Sequence, residues 1–590
     1  MLIGIIGIVS CGAILYTRGN TLYVGLVLFG ILFFLHAKKN YNRVKTAYIT
    51  SIINELKILG YFAICIFVFI LCIAFIFAYS HDPQWAIQDY SYYARIAHIL
   101  VTHGVETNAF NLAMPGNTLF EKAHFYHYFE LWFTGIVSKV FRLNSLYTLI
   151  YIVQPVLLSL VVLLLRIYFV RRYAKRLSNY VLSILPFGLV FISSAAHLAN
   201  YVQDFWFSAE PFMCYYNIKL STVYIVVLLY LTISRHSYRV IVPVVLVMFV
   251  YPSTIPITLG GLSVYAIISK FWYRKNISLE LIGLCTVLCA VVVTYGFQKN
   301  DSTVYSITDF VVSKMQSLHL ESLQLLISDI LYYYVRLYGL YVLFIILLFS
   351  ATKRICNDVS CTQDVFLILG MLVASFVSDF LLYDVGDWYQ LHSNFFIPFF
   401  TIILFLSIVD SFVFKKYNLL VCSLIMLQLI SFVIYCNESG FFKTGYNKEK
   451  YAFLKHEFLN KNFSSAYIKK LDISKNQYSG NVNFLQPFPE ISRFTNHYYP
   501  VYLSAHKTFA PTHNNVPINK TIEKSPFYQF INDSMRTNIY NLAIDYISLH
   551  SVKYLFIEKE ASFDSVLYKL PVDSKFEYND EDYIIVRLKW

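Results

Sequence analysis

The chain has 590 residues, of which 57% are hydrophobic and 14% are charged, and its net charge at pH 7 is +12. Soluble domains carry about 25% charged residues, so this composition argues against an ordinary soluble protein. The excess of lysine and arginine does not indicate nucleic-acid binding, because much of it falls in short loops between apolar runs, where membrane orientation explains it. We therefore expect membrane lipids, and no nucleic acid, among the partners of the chain.

Apolar runs of membrane-spanning length recur from the N-terminus to about Tyr435. Counting these runs gives about 13 crossings, the first of them at 2–17. The first run has neither a basic start nor a small-residue cleavage site, which favours a retained helix over a signal peptide. The pattern predicts a polytopic α-helical membrane protein, with a two-helix anchor at 1–56 and a larger transmembrane domain at 57–435.

Basic residues in the loops test this count. Six basic segments fall on one side of the membrane, which the positive-inside rule makes the cytoplasmic side. They are 36–45, 171–176, 235–239, 274–275, 353–354 and 415–416. The longer loops, beginning with 80–145, then lie outside the cytoplasm. Residues 124–141 are apolar enough to cross, but a crossing there would invert the later basic loops, so we interpret this segment as an interfacial helix.

The last part of the chain, 436–590, has a different composition, because its charged fraction rises and long apolar runs stop. Residues 552–557 and 583–587 are rich in β-branched and aromatic side chains, which predicts strands, and 541–550 is typical of a helix. We therefore expect a separate extracytoplasmic α/β domain. It contains no recognisable catalytic motif, so the expected role is a lid or an acceptor-binding platform.

The first outer loop, 80–145, carries the most informative polar residues. From Asp89 onward, apolar and aromatic side chains recur at helical spacing, and Gly104 is a typical helix end. These side chains are Tyr92, Tyr93, Ile96, Ile99 and Leu100. Asp89 stands at the start of this predicted amphipathic helix, where the helix dipole favours a carboxylate. The same position suits a structural N-cap, so the local pattern leaves capping and catalysis open.

The other end of this loop supplies Glu121, Lys122 and His124. Transfer from a lipid-phosphate sugar donor requires a carboxylate that takes a proton from the acceptor, and cationic groups that stabilise the departing phosphate. An acid at one end of the loop, with Lys122 and His124 at the other, matches this division of roles. Lys122 is equally well explained as a lysine that extends to the membrane surface.

Three short motifs in this loop resemble the first periplasmic loop of GT-C glycosyltransferases. They are DYSYYARIA at 89–97, HG at 103–104 and FEK at 120–122. The similarity is greatest to the branch that contains the lipid A aminoarabinose transferase and the protein mannosyltransferases. It covers about 40 residues, and the span count and the outer C-terminal domain are also similar to that superfamily.

The resemblance implies specific roles for four residues of the loop. Asp89 corresponds to the family's catalytic carboxylate and Tyr93 to its conserved tyrosine. Glu121 and Lys122 correspond to the Glu-Lys pair that contacts the donor phosphate or the acceptor. With this resemblance, we expect Asp89 to act as the general base of a sugar transfer.

Two positions depart from the family pattern. Tyr90 stands where the family has a second acid, so no paired-carboxylate metal site is predicted and a divalent-cation requirement stays open. Residues 123–124 are Ala-His where the family has two prolines, which leaves the sugar undetermined. The ten cysteines form no CxxC pair and no Cys/His cluster, so the sequence predicts no zinc site. No cofactor is expected with certainty.

Later segments add three candidate binding residues. Asp387 and His392 lie in an outer connection between two late spans, and GT-C relatives often carry a basic residue at a position like that of His392. Arg336 lies a few residues inside an apolar run, where a charge usually faces a cavity or a partner. We expect Arg336 or His392 to bind the donor phosphate together with Lys122. For Asp387 and His392, the structural alternative is a polar loop that caps two helices. For Arg336, the alternatives are an ion pair with Asp329 and a side chain that extends to the membrane surface.

The predicted function is that of an integral-membrane glycosyltransferase in the cell membrane of a bacterium. It moves a sugar from a polyprenyl-phosphate donor to an envelope glycolipid, glycan or protein, with Asp89 as base and inversion at the anomeric carbon. The active site and the C-terminal domain are expected outside the cytoplasm. The alternatives are an O-antigen-type polymerase or ligase that relies on Arg336 and His392, a lipid or solute transporter, and an inactive scaffold.

Overall fold

The structure is a computed structural model that describes part of the chain. The described residues lie mainly in helices and strands, and their ranges have single-residue gaps at 144, 273 and 378. They are 48–79, 129–191, 254–274, 320–357, 370–379, 392–414, 465–468, 500–503, 553–558, 569–579 and 583–589, with individual residues at 93–100, 225, 422–430 and 548. Within this part of the chain, the helices with defined bounds come first and the strands follow.

The α-helices with defined bounds all precede residue 415. They are α1 (Tyr48–Tyr79), α2 (Phe129–Phe141), α3 (Ser145–Thr148), α4 (Gln154–Tyr173), α5 (Asn179–Ile184), α6 (Phe187–Phe191), α7 (Ile255–Phe271), α8 (Leu320–Leu347), α9 (Phe349–Asn357) and α10 (Ile397–Val413). Two π-helical segments, Leu149–Val153 and His392–Phe396, lead directly into α4 and α10. Such wide turns occur frequently at functional sites, which draws attention to the start of α10.

Local sequence explains where several helices begin. Pro256 lies in the first turn of α7, where its fixed φ is already helical and its missing N–H has no intrahelical partner. Pro155 and Pro398 instead follow the π-helical segments before α4 and α10, where the wide turns change to α-helical ones. Helix α5 instead begins after Ser178, whose Oγ accepts a hydrogen bond from the backbone N–H of Val181 at 3.4 Å.

Helix α1 packs along α4 and the short helices after it. The Tyr61 hydroxyl donates to the carbonyl oxygen of Ser183 at 2.7 Å, and the Arg166 guanidinium lies 4.5 Å from the centre of the Tyr61 ring. Further along α1, the rings of Phe69 and Phe187 have centroids 5.7 Å apart. These contacts join segments more than 100 residues apart in the chain, so α1 is part of the folded helical body.

Helix α7 crosses the helical residues at 370–377 with almost no space between the two backbones. A Cβ at Gly260 would overlap with the Cβ of Ala374, and a Cβ at Gly370 would lie 2.8 Å from the Cβ of Val264. Small residues on both sides are therefore required for this approach. The crossing fixes the position of 370–379, which carries one of the site residues described below.

Helices α8, α9 and α10 form a second packed group, in which hydroxyl pairs bridge the helices. The Tyr341 hydroxyl and Thr401 Oγ1 are 2.8 Å apart, and Thr352 Oγ1 and Ser407 Oγ are 3.1 Å apart. All four side chains are buried. Buried hydroxyls need such partners because an unpaired polar group in an apolar interior costs free energy. The pairs thus set the register of α8 and α9 against α10.

The C-terminal part contains a five-stranded mixed sheet with the strand order β2-β1-β3-β5-β4. The strands are β1 (Ser465–Ile468), β2 (Pro500–Leu503), β3 (Tyr554–Glu558), β4 (Val572–Asn579) and β5 (Tyr583–Leu588). Strand β1 pairs in parallel with β2 and β3, whereas β5 pairs antiparallel with β3 and β4. The predicted strands at 552–557 and 583–587 overlap β3 and β5. Of the predicted helix at 541–550, Ser548 is described, and it is helical.

The prediction of a polytopic membrane protein with about 13 crossings is wrong. Among the described residues, one continuous helix is long and apolar enough to cross a membrane, Leu149–Tyr173. A second is added if Ile327–Val335 and Leu337–Leu347, which meet at 41°, are counted as one bent span. The membrane count from sequence failed because hydropathy does not distinguish a helix that faces lipid from one that faces protein.

Helix α10 illustrates this correction. It lies within the predicted span at 391–413, and although α10 itself has 17 residues, it continues the π-helical segment His392–Phe396, so length is not what argues against a crossing. Most of its side chains, from Ile397 through Ser411, are buried against the rest of the protein. Its apolar sequence is therefore accounted for by burial in a protein core. Helix α7, inside the predicted span at 254–271, also has 17 residues.

Candidate functional site

A buried histidine at the start of α10 is the centre of the candidate site. His392 is the first residue of the π-helical segment and is fully inaccessible to solvent. Its Nε2 lies 2.7 Å from Asp379 Oδ2, and its Nδ1 lies 2.5 Å from the hydroxyl of Tyr338. The arrangement is satisfied when Nε2–H donates to the carboxylate and Nδ1 accepts from the phenol. Both ring nitrogens are thus engaged by protein groups.

A second tyrosine completes the cluster. The Tyr334 hydroxyl donates to Asp379 Oδ2 at 2.7 Å and lies 3.1 Å from Ser375 Oγ. Tyr334 and Tyr338 are four residues apart in α8, which places them on the same face of that helix. The site therefore combines a face of α8, the end of the 370–379 segment and the start of α10.

The two carboxylate oxygens of Asp379 differ in their hydrogen bonding. Oδ2 accepts the hydrogen bonds from His392 and Tyr334, whereas Oδ1 is buried and has no hydrogen-bond partner among the residues that the structure describes. The side chain as a whole is 1% exposed. A buried carboxylate oxygen without a partner is costly, which makes it a strong acceptor for a hydroxyl or another donor that reaches it.

Aromatic rings enclose the histidine. The ring centroids of Tyr334, Tyr333, Tyr338 and Phe396 lie 4.9, 5.5, 5.8 and 6.0 Å from that of His392. Such an apolar surround excludes water and strengthens the hydrogen bonds inside it. The geometry can therefore hold a carboxylate, an imidazole and two phenols in fixed relative positions, as proton-transfer chemistry requires.

The far end of α10 carries a second buried polar cluster, around Asp410. Arg172 Nη2 lies 2.9 Å from Asp410 Oδ1, and Arg354 Nη2 lies 2.7 Å from Oδ2. The Tyr173 hydroxyl also donates to Oδ1, at 3.1 Å. The 18 residues between His392 and Asp410 correspond to roughly 25 Å along a helix, so the two clusters are at opposite ends of α10.

The predicted site residues are only partly described. Five of them lie outside the described residues, and these are Asp89, Glu121, Lys122, His124 and Asp387. Arg336 lies in α8 between the two tyrosines of the cluster, and its side chain is outside the described part of the structure. Tyr93 is helical and 8% exposed. His392 is the predicted residue that the structure places within a cluster of titratable groups.

Several residues of the two clusters were not predicted as site residues. Asp379, Tyr334 and Tyr338 form the first cluster with His392, and Asp410 pairs with Arg172 and Arg354 in the second. A sequence signal existed for both acids, because each lies inside an apolar run, where an ionisable residue is expensive and usually has a partner. No such signal identified the tyrosines, since tyrosine is abundant in this chain, with 50 residues.

The described residues offer no group of three or more His, Cys, Asp or Glu side chains that could hold a metal ion. The candidate site therefore consists of hydrogen-bonded side chains.

Comparisons with known proteins add no family to this description. No family model matches the chain, and no curated protein matches it.

Proposed function

We propose that the chain is a glycosyltransferase that moves a sugar from a polyprenyl-phosphate donor to a hydroxyl-bearing acceptor in the cell envelope, at the outer side of the cell membrane. The proposal concerns the chemistry of the segment 89–124 and the cluster at His392, and it does not depend on the number of membrane helices. Its chemical basis is the similarity of the motifs at 89–97, 103–104 and 120–122 to GT-C glycosyltransferases.

The observation that carries the proposal is the burial of the helical residues that follow Asp89. Tyr93, Ile96, Ala97 and Leu100 are all helical and between 0% and 8% exposed. Ala94, between them, is likewise helical and 3% exposed, so this part of the predicted helix is packed inside the protein at each of its described positions. Asp89 precedes Tyr93 by four residues in the sequence, which is about one helical turn.

The proposed reaction is a direct displacement at the anomeric carbon. The Asp89 carboxylate takes the proton of the acceptor hydroxyl, whose oxygen forms the new glycosidic bond. The bond between the anomeric carbon and the phosphate oxygen breaks, its electron pair leaves with the polyprenyl phosphate, and the configuration is inverted. Lys122 and Arg336 stabilise the charge on the departing phosphate, and Glu121 and His124, which flank Lys122 in the sequence, assist in binding.

The cluster geometry leads us to change the role of His392. Because Asp379 and Tyr338 already engage both ring nitrogens, we do not assign His392 to the donor phosphate. We assign it instead as a positioning residue that holds Asp379. The open Oδ1 of Asp379 then accepts a hydrogen bond from a hydroxyl of the sugar or the acceptor.

A second candidate function is favoured by the same cluster. An O-antigen-type polymerase or ligase also uses lipid-linked sugars, and it would rely on later histidines and arginines instead of Asp89. The hydrogen-bonded Asp379–His392 pair is a combination that can move a proton. The two candidates therefore differ in whether Asp89 or the Asp379–His392 pair accepts the proton.

The experiment uses the purified full chain in nanodiscs, a panel of radiolabelled polyprenyl-phosphate sugars and an envelope extract as the acceptor source. The measured quantity is the release of polyprenyl phosphate, with the transfer of label to the acceptor. We expect turnover of one donor by the wild type and none by Asp89→Asn. Glu55→Gln, which removes a carboxylate from α1, serves as the matched control and should retain activity.

Two outcomes would contradict the proposal. Turnover that survives in Asp89→Asn but disappears in Asp379→Asn would transfer the base role to the cluster and favour the polymerase or ligase. Absence of turnover with every donor, from protein whose unfolding transition is intact, would remove the glycosyltransferase assignment itself.

A further inference from the structure

Basic side chains gather where α4 and α9 end. Arg171 and Arg172 lie in the last turn of α4, Lys175 and Arg176 follow it, and residues 353–354 bring a lysine and an arginine from α9. We call these six residues the basic end. The basic residues from α4 and those from α9 are brought together by contacts to Asp410 and Phe414 at the end of α10.

The contacts to Phe414 show how close these cations are. The guanidinium carbon of Arg176 lies 4.1 Å from the centre of the Phe414 ring, and that of Arg354 lies 4.8 Å from it. Arg354 also pairs with Asp410, as does Arg172. Three guanidinium groups are thus held around one carboxylate and one ring, so their mutual repulsion is only partly compensated by Asp410.

Three of these cations are exposed and have no acidic partner in the part of the chain that the structure describes. Lys175, Arg176 and Lys353 are all solvent-accessible, and none of them forms an ion pair with a described carboxylate. A cluster of exposed, uncompensated positive charge attracts anions, and phosphate groups are well matched to arginine. The complementary partner is therefore an anionic, phosphate-bearing group.

The apolar surroundings select the kind of phosphate. The basic end includes the last turn of Leu149–Tyr173, the helix that is long and apolar enough to cross a membrane. Immediately beyond it, α5 exposes Tyr180 by 82%, Ile184 by 70% and Val181 by 41%. Exposed aromatic and aliphatic side chains beside lysine and arginine are typical of a surface that contacts lipid headgroups and acyl chains together. A soluble phosphate would leave these apolar side chains in water.

We propose that the basic end binds the headgroups of anionic phospholipids, through Lys175, Arg176 and Lys353. Asp410 holds Arg172 and Arg354 in place, so that the surface is preformed before lipid arrives. This lipid-binding surface is separate from the cluster at His392, which lies at the other end of α10. The inference does not depend on the proposed glycosyl transfer, and each can fail without the other.

The test measures lipid binding by the full chain in neutral detergent. Fluorescent phosphatidylglycerol is the anionic probe and fluorescent phosphatidylcholine is the neutral one, and anisotropy reports binding. The test variant carries Lys175→Gln, Arg176→Gln and Lys353→Gln. The matched control carries Lys553→Gln, Lys569→Gln and Lys589→Gln, which remove the same charge from the C-terminal sheet. Thermal unfolding of each protein checks that the fold is retained.

We expect preferential, salt-sensitive binding of phosphatidylglycerol by the wild type and by the control. Each basic residue near an anionic lipid contributes roughly fivefold to affinity, so the triple variant should lose on the order of a hundredfold. Unchanged affinity in the triple variant would overturn the inference, as would equal binding of phosphatidylcholine. Displacement of the lipid probe by equimolar inorganic phosphate would also overturn it, because the site would then be one for soluble phosphate.

Discussion

His392 Nε2 and Asp379 Oδ2 are 2.7 Å apart, and both side chains are almost completely buried. The two residues come from separate helical segments, the start of α10 and the segment 370–379. Their hydrogen bond, together with those of Tyr334 and Tyr338, joins these segments to α8. The contact therefore has a structural role in addition to any role in proton transfer, and the two roles need separate measurements.

The pair should show strong energetic coupling. Asp379→Ala leaves the histidine N–H and the Tyr334 hydroxyl without their acceptor, so we expect it to lower the free energy of unfolding by about 3 to 5 kcal/mol. His392→Ala should have a similar effect. In the double variant, the two losses should fall short of additivity by about 0.5 to 3 kcal/mol. Denaturant unfolding of the four proteins gives this coupling directly, and strictly additive losses would contradict the observed contact.

Asp410 offers a second stability prediction with a control inside the same chain. Asp410→Asn leaves Arg172 and Arg354 facing each other without a counter-charge, and we expect a loss of about 3 to 5 kcal/mol. The comparison is Asp573→Asn in the sheet, whose carboxylate is 10% exposed and whose partners Arg587 and Lys589 are 32% and 59% exposed, so that water screens this pair more than the one at Asp410. Its loss should be smaller, about 1.5 to 3 kcal/mol. Equal losses in the two variants, measured by denaturant unfolding, would argue against a buried ion pair at Asp410.

Two glycines should respond in opposite directions to the same substitution. Gly260→Ala would place a methyl group against Ala374 and should destabilise the protein by about 1 to 3 kcal/mol, because the helices must move apart. Gly339→Ala, in α8, meets nothing within 4 Å and should stabilise by up to about 1 kcal/mol through helix propensity. Melting temperatures of the two variants test this, and a stable Gly260→Ala protein would show that the crossing is looser than described.

Asp89 is expected to affect catalysis without affecting stability. Removal of a general base costs typically about 10²- to 10⁴-fold in rate, so Asp89→Asn should reduce turnover by at least that factor. Its melting temperature should match that of the wild type, whereas Asp379→Ala should lower it. Measurement of turnover and melting on the same preparations separates the two. A drop in the melting temperature of Asp89→Ala that Asp89→Asn does not show would indicate a helix cap instead, because asparagine caps a helix as well as aspartate does.

Local patterns were sufficient for some elements. The β-branched and aromatic segments at 552–557 and 583–587 overlap β3 and β5, because such side chains fit a pleated sheet. The helical spacing after Asp89 matches the buried residues Tyr93, Ile96 and Leu100. The order of the strands was not predictable, since β1 and β2 pair in parallel with partners far away in the chain, and no local signal specifies that pairing.

The clusters required the tertiary structure for a related reason. Asp410 is 238 residues from Arg172 and 56 from Arg354, and Asp379 is 13 residues from His392. The sequence identified His392 as a candidate from its place before α10, but it did not identify the groups that occupy its two ring nitrogens. Those partners are selected by helix packing, including the close crossing of α7 at Gly260 and Ala374.

By itself, the sequence determined the apolar character of the helices, the change of composition near residue 436 and the motifs on which the proposed chemistry is based. These are local properties, because hydropathy and residue spacing are read within a short window. The tertiary structure alone decided which apolar faces are covered by protein and which buried charges meet. Burial and ion pairing depend on distances between residues that are remote in sequence, so the same apolar run can be a membrane crossing or, as in α10, the interior of a packed group of helices.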